Sequence, residues 1–117
     1  MKIKTFLAAL LVSSAASAAA NGPSFTAVVD SNGTLERGLR ANGASRIAPG
    51  QYVVRFTKDV SACAYTAAIG LSGTAGSSNP GTVNVVGRTD NNKAIFVQTF
   101  DESASPSNLG FHVIINC

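Results

Sequence analysis

The residues of this chain that could do chemistry are few and widely spaced. His112 is the only histidine, and Ser61, Ser72, Ser105 and Asp101 are the side chains that could join it in a Ser-His-Asp arrangement. Such a triad is defined by geometry, which spacing alone does not supply. No Gly-x-Ser-x-Gly elbow presents a nucleophile, so His112 reads as a surface or hydrogen-bonded structural residue. Asp101 and Glu102 are neighbours in a loop, and adjacent side chains on extended backbone point apart, which makes them a poor glycosidase pair. Asp30, Asp59 and Asp90 fall at strand ends or turns, where an Asp closes an Asx turn, and no dense acidic loop suggests calcium. Gly70, Gly73, Gly76 and Gly81 precede no helix, so they do not form a phosphate cradle. Cys63, Cys117 and a single histidine do not make a zinc site. The expectation is no catalytic residue, no cofactor and no metal, with a small secreted hydrolase using His112 as the alternative.

The cysteines point instead to compartment and architecture. Lys2 and Lys4 precede an apolar stretch, Phe6 to Val12, and then small residues; Ala16-Ser17-Ala18 and Ala18-Ala19-Ala20 both suit signal peptidase. Residues 1–20 therefore read as a secretory signal, with an apolar core shorter than the roughly 20 residues that span a bilayer. After its removal about 97 residues remain, enough for one domain, 21–117. Two of the nine Lys and Arg leave with the signal and all six acids stay, so the mature chain carries +1. The pI of about 9.2 of the whole chain is thus no nucleic-acid footprint, and Arg37, Arg40 and Arg46 read as a solvated face. In an exported chain Cys63 and Cys117 are most simply partners, with free thiols or an intermolecular bridge as the alternatives. Closing the 54 residues between them is worth roughly 4 kcal/mol on the loop-entropy account.

The elements that must position these residues read as short strands with turn signals every eight to twelve residues, the pattern of an antiparallel β sandwich or barrel. Ser24–Asp30 is a first strand, and Ser31-Asn32-Gly33-Thr34 an Asn-Gly hairpin turn returning through Thr34–Arg37. Asn32-Gly33-Thr34 also matches a glycosylation sequon, but the turn reading is preferred. A second Asn-Gly turn at Asn42-Gly43 leads to Ala44–Ile47, and Ala48-Pro49-Gly50 turns the chain into Gln51–Thr57. Ala62–Gly70, Thr82–Arg88, Ala94–Phe100 and Phe111–Cys117 are further strands, separated by a Gly/Ser/Asn/Pro loop (71–81), a polar turn (89–93) and an open loop (101–108).

Alternation assigns faces. Tyr52, Val54 and Phe56 share one side of their strand, Cys63, Tyr65, Ala67 and Ile69 one side of theirs, and Phe111, Val113, Ile115 and Cys117 one side of the last. Both cysteines thus lie with bulky apolar residues, as a buried bridge requires. Tyr52, Phe56, Tyr65, Phe96, Phe100 and Phe111 are spaced for core packing, and without Trp no sugar-stacking platform is evident. Several strands are nevertheless apolar on both sides: Val53 behind Tyr52, Ile114 behind Val113, and Phe96 and Phe100 opposite Ile95 and Val97. A sheet that faces water on one side does not need this, so Val53, Phe96, Phe100 and Ile114 form a candidate subunit interface.

Tyr52-Val53-Val54-Arg55-Phe56, then Cys63-Ala64-Tyr65, then Phe111-His112 and a closing Cys117 resemble a family of bacterial secreted β domains along essentially the whole mature chain. The turn and Tyr-x-Val-x-Phe strand are loosely similar to strands of C1q/TNF-like jelly rolls and of phage tail-fibre tips. The resemblance supports the disulfide pairing and implies no activity; the jelly-roll likeness implies a homo-oligomer, trimer before dimer. The expected protein is a secreted or periplasmic, jelly-roll-like β sandwich with one disulfide. It would be a non-catalytic binding or structural module for a protein or glycan ligand, without nucleic acid and without membrane insertion after signal cleavage. A surface-appendage subunit is a further alternative, although only Asn21–Pro23 precede the first strand as a donor-strand extension.

Overall fold

The computed structural model describes residues 22–117; the expected secretory signal, residues 1–20, lies outside the described residues. Alternating apolar and polar residues, interrupted by Gly, Asn, Asp and Pro, build eight strands: β1 (Ser24–Val29), β2 (Leu35–Leu39), β3 (Ala41–Ala48), β4 (Gln51–Phe56), β5 (Ala64–Ile69), β6 (Thr82–Gly87), β7 (Ala94–Phe100) and β8 (Phe111–Asn116). They form two four-stranded antiparallel sheets, β2-β1-β8-β5 and β3-β4-β7-β6. Early strands pair with late ones: β1 lies beside β8 in the first sheet and β4 beside β7 in the second, with β5 and β6 added on the far sides of β8 and β7. The two sheets pack face to face as an antiparallel β sandwich.

The expected faces meet between the sheets. Phe25, Ala27 and Val29 of β1 and Phe111, Val113 and Ile115 of β8 pack against Tyr52, Val54 and Phe56 of β4 and Ile95 and Val97 of β7. Phe25 meets Phe56 edge-on with ring centroids 5.7 Å apart, and Tyr52 meets Phe111 at 5.1 Å, the offset geometry that ring quadrupoles favour. Polar atoms inside this layer are satisfied. The Tyr52 hydroxyl donates to the Ser31 carbonyl at 2.8 Å, and Thr99 Oγ1 donates to the Ser107 carbonyl at 2.5 Å. Burial pushes the Tyr52 phenol above its ordinary pKa.

Cys63 and Cys117 are joined. The β5–β8 register ends with Ala64 opposite Asn116, so the cysteines are the next cross-strand pair, with Cα atoms 4.3 Å apart. The bridge therefore links adjacent strands of one sheet. It is not buried as expected: Cys63 is half-buried and Cys117 exposed, because the pair sits where both strands run out.

Two other expectations need correction. Asn42-Gly43 is not a turn but a bulge inside β3, between the register pairs Ala41–Phe56 and Gly43–Arg55. The chain instead turns one residue after β2, at Arg40, which adopts φ 56°, because β2 and β3 belong to different sheets and the corner must come between them. Phe96 and Phe100 are not core residues; β7 sends Ile95, Val97 and Thr99 inward, and period two turns both phenylalanines out.

Candidate functional site

The outer face of β3-β4-β7-β6 holds three of the four candidate interface residues, Val53, Phe96 and Phe100. Across it, Ser45 pairs with Val53, Val53 with Phe96, and Phe96 with Val86, giving an apolar row whose outer member, Val86, is 57% exposed. The next outward row holds carboxamides: Gln51 pairs with Gln98, and Gln98 with Asn84. Beyond it Phe100 pairs with Thr82 and bridges to Pro106. Along β7 the outward sequence is thus Phe96, Gln98, Phe100, an amide between two rings, with one further amide on each side. Alternation of single residues does not reveal this row, since Gln51, Asn84 and Gln98 come from three strands and meet only through register.

Ile114 does not join them. It lies on the outer face of the other sheet, opposite Thr26 and Thr66, with Leu39 beyond Thr26. That face is built of small and hydroxyl side chains around Ile114, together with Ala64, Ala68, Val28 and His112.

Beside the apolar row a shallow hollow of about 370 Å³ is lined by Val86, Phe96, Gly87, Arg88, Thr89 and Asp90. Its rim carries an ion pair, Arg88 Nε to Asp90 Oδ1 at 2.9 Å, with a second contact from Nη2 to Oδ2 at 2.9 Å. This two-point contact favours both charged forms, lowering the Asp90 pKa and raising that of Arg88. Asp90 is exposed and Arg88 half-buried, and the pair adds shape and charge to the rim more than stability. The hollow was not foreseen in the sequence; the signal was present in Thr82–Gly87, where Val83 and Val85 facing in require Val86 to face out.

The histidine has a structural role. His112 Nε2 lies 2.8 Å from the Leu71 carbonyl, a contact that requires the Nε2–H form, and Arg37 Nη1 donates to the Ser72 carbonyl at 2.7 Å. Together they hold the start of the loop between β5 and β6 against the first sheet. Asp101 is engaged elsewhere, its Oδ1 accepting the Ser103 and Ser105 amides, and Asp59 Oδ1 accepts from the Ser61 amide and hydroxyl. The Ser61 hydroxyl and amide hold the Asp59 carboxyl below its ordinary pKa. These partners do not assemble His112, a serine and Asp101 into one hydrogen-bonded chain. Among the described residues no cluster of three or more His, Cys, Asp or Glu could hold a metal ion. Two small adjoining hollows, about 120 and 290 Å³, lie beneath the 71–81 loop and share Ser31, Leu71 and Gly110. The larger is lined by Asp30, Ser31 and Ser72, and the Asp30 carboxylate there already accepts the Asn32 and Thr34 amides.

No family model, curated protein or solved structure matches the chain.

Proposed function

We propose that the protein is an exported, non-catalytic module that binds a neutral glycan on the outer face of β3-β4-β7-β6. The carrying observation is the carboxamide row Gln51–Gln98–Asn84 set between Phe96 and Phe100. A carboxamide both donates and accepts, which suits sugar hydroxyls, and the flanking rings offer apolar surface to the C–H faces of a pyranose. An extended sheet face suits a chain-like ligand better than a deep cavity does. The Cys63–Cys117 bridge is compatible with an oxidising periplasmic or extracellular setting.

Affinity electrophoresis in dextran, xylan and β-glucan tests this reading. The folded domain should be retarded by at least one of them, and Gln98→Ala or Phe96→Ala should weaken retardation about tenfold, the equivalent of one lost hydrogen bond or ring contact. Ile114→Lys, on the opposite sheet, should leave it unchanged. No retardation in any of the three, or an equal loss in Ile114→Lys, overturns the reading.

The exposed Val86 beside Val53 and Phe96 favours a second reading, self-association through the apolar row. Burying such surface gains roughly 25 cal/mol per Å², and a two-fold contact uses the same row on both copies. Light scattering should then give more than a monomer mass, reduced to monomer by Val86→Lys and not by Ile114→Lys. A monomer mass for the unaltered protein removes it.

A further inference from the structure

Three Asn-Gly pairs occur in the sequence, at 21–22, 32–33 and 42–43, and the structure places the second and third in opposite electrostatic settings. Asn-Gly is the dipeptide most open to intramolecular attack, because glycine lets its own peptide nitrogen approach the preceding carboxamide carbon without a side chain in the way. Whether that happens depends on what holds and what surrounds the nitrogen.

At Asn32-Gly33 the nitrogen is restrained. The Gly33 N–H donates to the Asp30 carbonyl at 2.9 Å, and the Asn32 N–H donates to the Asp30 carboxylate at 2.9 Å. Gly33 is buried, and the carboxylate held at the Asn32 amide opposes loss of a proton from the next amide, with Arg46 Nη1 on the Ser31 carbonyl at 3.2 Å offsetting part of that charge. At Asn42-Gly43 the neighbouring charge is positive. Asn42 is the extra residue of the β3 bulge, skipped by the register between Ala41 and Gly43, and it is exposed. The Arg55 guanidinium lies against Gly43: a Cβ built there would stand 2.8 Å from Arg55 Nη2. Arg55 Nη1 is anchored to Ser45 Oγ at 3.3 Å, which keeps the cation beside the bulge.

We propose that Asn42 is a site of spontaneous deamidation, promoted by Arg55. The Gly43 nitrogen gives its proton to water and its lone pair forms a bond to Asn42 Cγ; the Cγ–Nδ2 bond then breaks, and Nδ2 takes a proton from water and leaves as ammonia to give a succinimide. Water then opens the ring at either carbonyl, leaving aspartate or isoaspartate at position 42. Negative charge develops first on the attacking nitrogen and then on the carboxamide oxygen, and Arg55 stabilises both. The product carboxylate pairs with Arg55, and the isoaspartate form adds a methylene to the backbone of β3 at its bulge. The outer edge of the sheet thereby changes charge and shape with age.

Peptide mapping of the folded protein after incubation in warm, mildly alkaline buffer tests this, with the 21–22, 32–33 and 42–43 pairs read on separate peptides. Conversion at Asn42 should outpace conversion at Asn32, and in urea the two rates should converge. Arg55→Gln should slow conversion at Asn42 roughly fivefold, about 1 kcal/mol for one unit charge at contact distance in a water-like dielectric, and leave Asn32 unchanged. Gly43→Ala, whose methyl would crowd the attacking nitrogen and displace the guanidinium that lies 2.8 Å from its Cβ position, should slow it at least as much. Conversion at Asn32 as fast as at Asn42, a difference that persists in urea, or a rate at Asn42 unaffected by both substitutions overturns the proposal.

Discussion

Two loops far apart in the chain, Asp30–Thr34 and Asp101–Ser105, are built on the same frame. In the first, Asp30 Oδ1 accepts the Asn32 and Thr34 amides, the Gly33 amide reaches the Asp30 carbonyl, and the Asp30 amide reaches the Thr34 carbonyl. In the second, Asp101 Oδ1 accepts the Ser103 and Ser105 amides, the Ala104 amide reaches the Asp101 carbonyl, and the Asp101 amide reaches the Ser105 carbonyl. The fourth residue is left-handed in both, φ 92° at Gly33 and φ 64° at Ala104. They differ in what lies beside it. A Cβ at Gly33 would stand 2.4 Å from the Arg46 backbone nitrogen, whereas Ala104 is exposed to solvent. The carboxylate sets the turn, and the neighbouring strand decides whether a side chain is tolerated at its strained position.

The comparison can be broken most strongly at Gly33. Gly33→Ala combines left-handed strain with a collision against backbone that cannot swing aside, and about 2–4 kcal/mol of stability should be lost in urea unfolding. A loss below about 1 kcal/mol would mean that β3 yields there. Next come the carboxylates. Asp30→Ala and Asp101→Ala each remove two charge-assisted bonds to amides, and each should cost about 1–2 kcal/mol, the scale of a lost helix cap. Equal losses support one common frame; a marked inequality would show that packing, not the carboxylate, holds one of the loops. The smallest effect is expected at Ala104, where Ala104→Gly relieves strain of about 1–2 kcal/mol and returns part of it as unfolded-chain entropy, for a net gain of about 0.5–1 kcal/mol. A destabilised Ala104→Gly would mean that the left-handed conformation costs the alanine little.

Much of the fold was legible because period two is a local property. Seven of the eight strands lie within two residues of where alternation and turn signals place them, β3 starting earlier than expected, and the inward sets on β4, β5 and β8 follow from which residues are bulky and apolar. The disulfide partners were legible for a simpler reason, there being only two cysteines. What failed was local chemistry that a distant element reinterprets. Asn42-Gly43 carries a turn signal, yet the requirement that β3 run its full length beside β4 turns that signal into a bulge and moves the corner to Arg40. The second turn frame went unrecognised because its strained position holds Ala104 where glycine was the marker to look for.

The candidate site divides along the same line. The outward side of β4 is contained in the sequence, since Gln51 and Val53 are left once Tyr52, Val54 and Phe56 are taken as core; β7 is bulky on both sides, and only the structure turns Phe96, Gln98 and Phe100 out. Alternation reports a face, however, and not which face of which sheet, so Ile114 was grouped with residues that stand on the opposite side of the molecule. The sequence by itself determined strands, inward faces and the cysteine pair, because these depend on side-chain size, polarity and spacing within a few residues. Only the tertiary structure decided that β4, β6 and β7 lie side by side in a register that aligns Gln51, Gln98 and Asn84, that Arg55 rests on Gly43, and that His112 is occupied by the Leu71 carbonyl. Those contacts join residues many positions apart, and their energies exist only once the two sheets have closed on a common core.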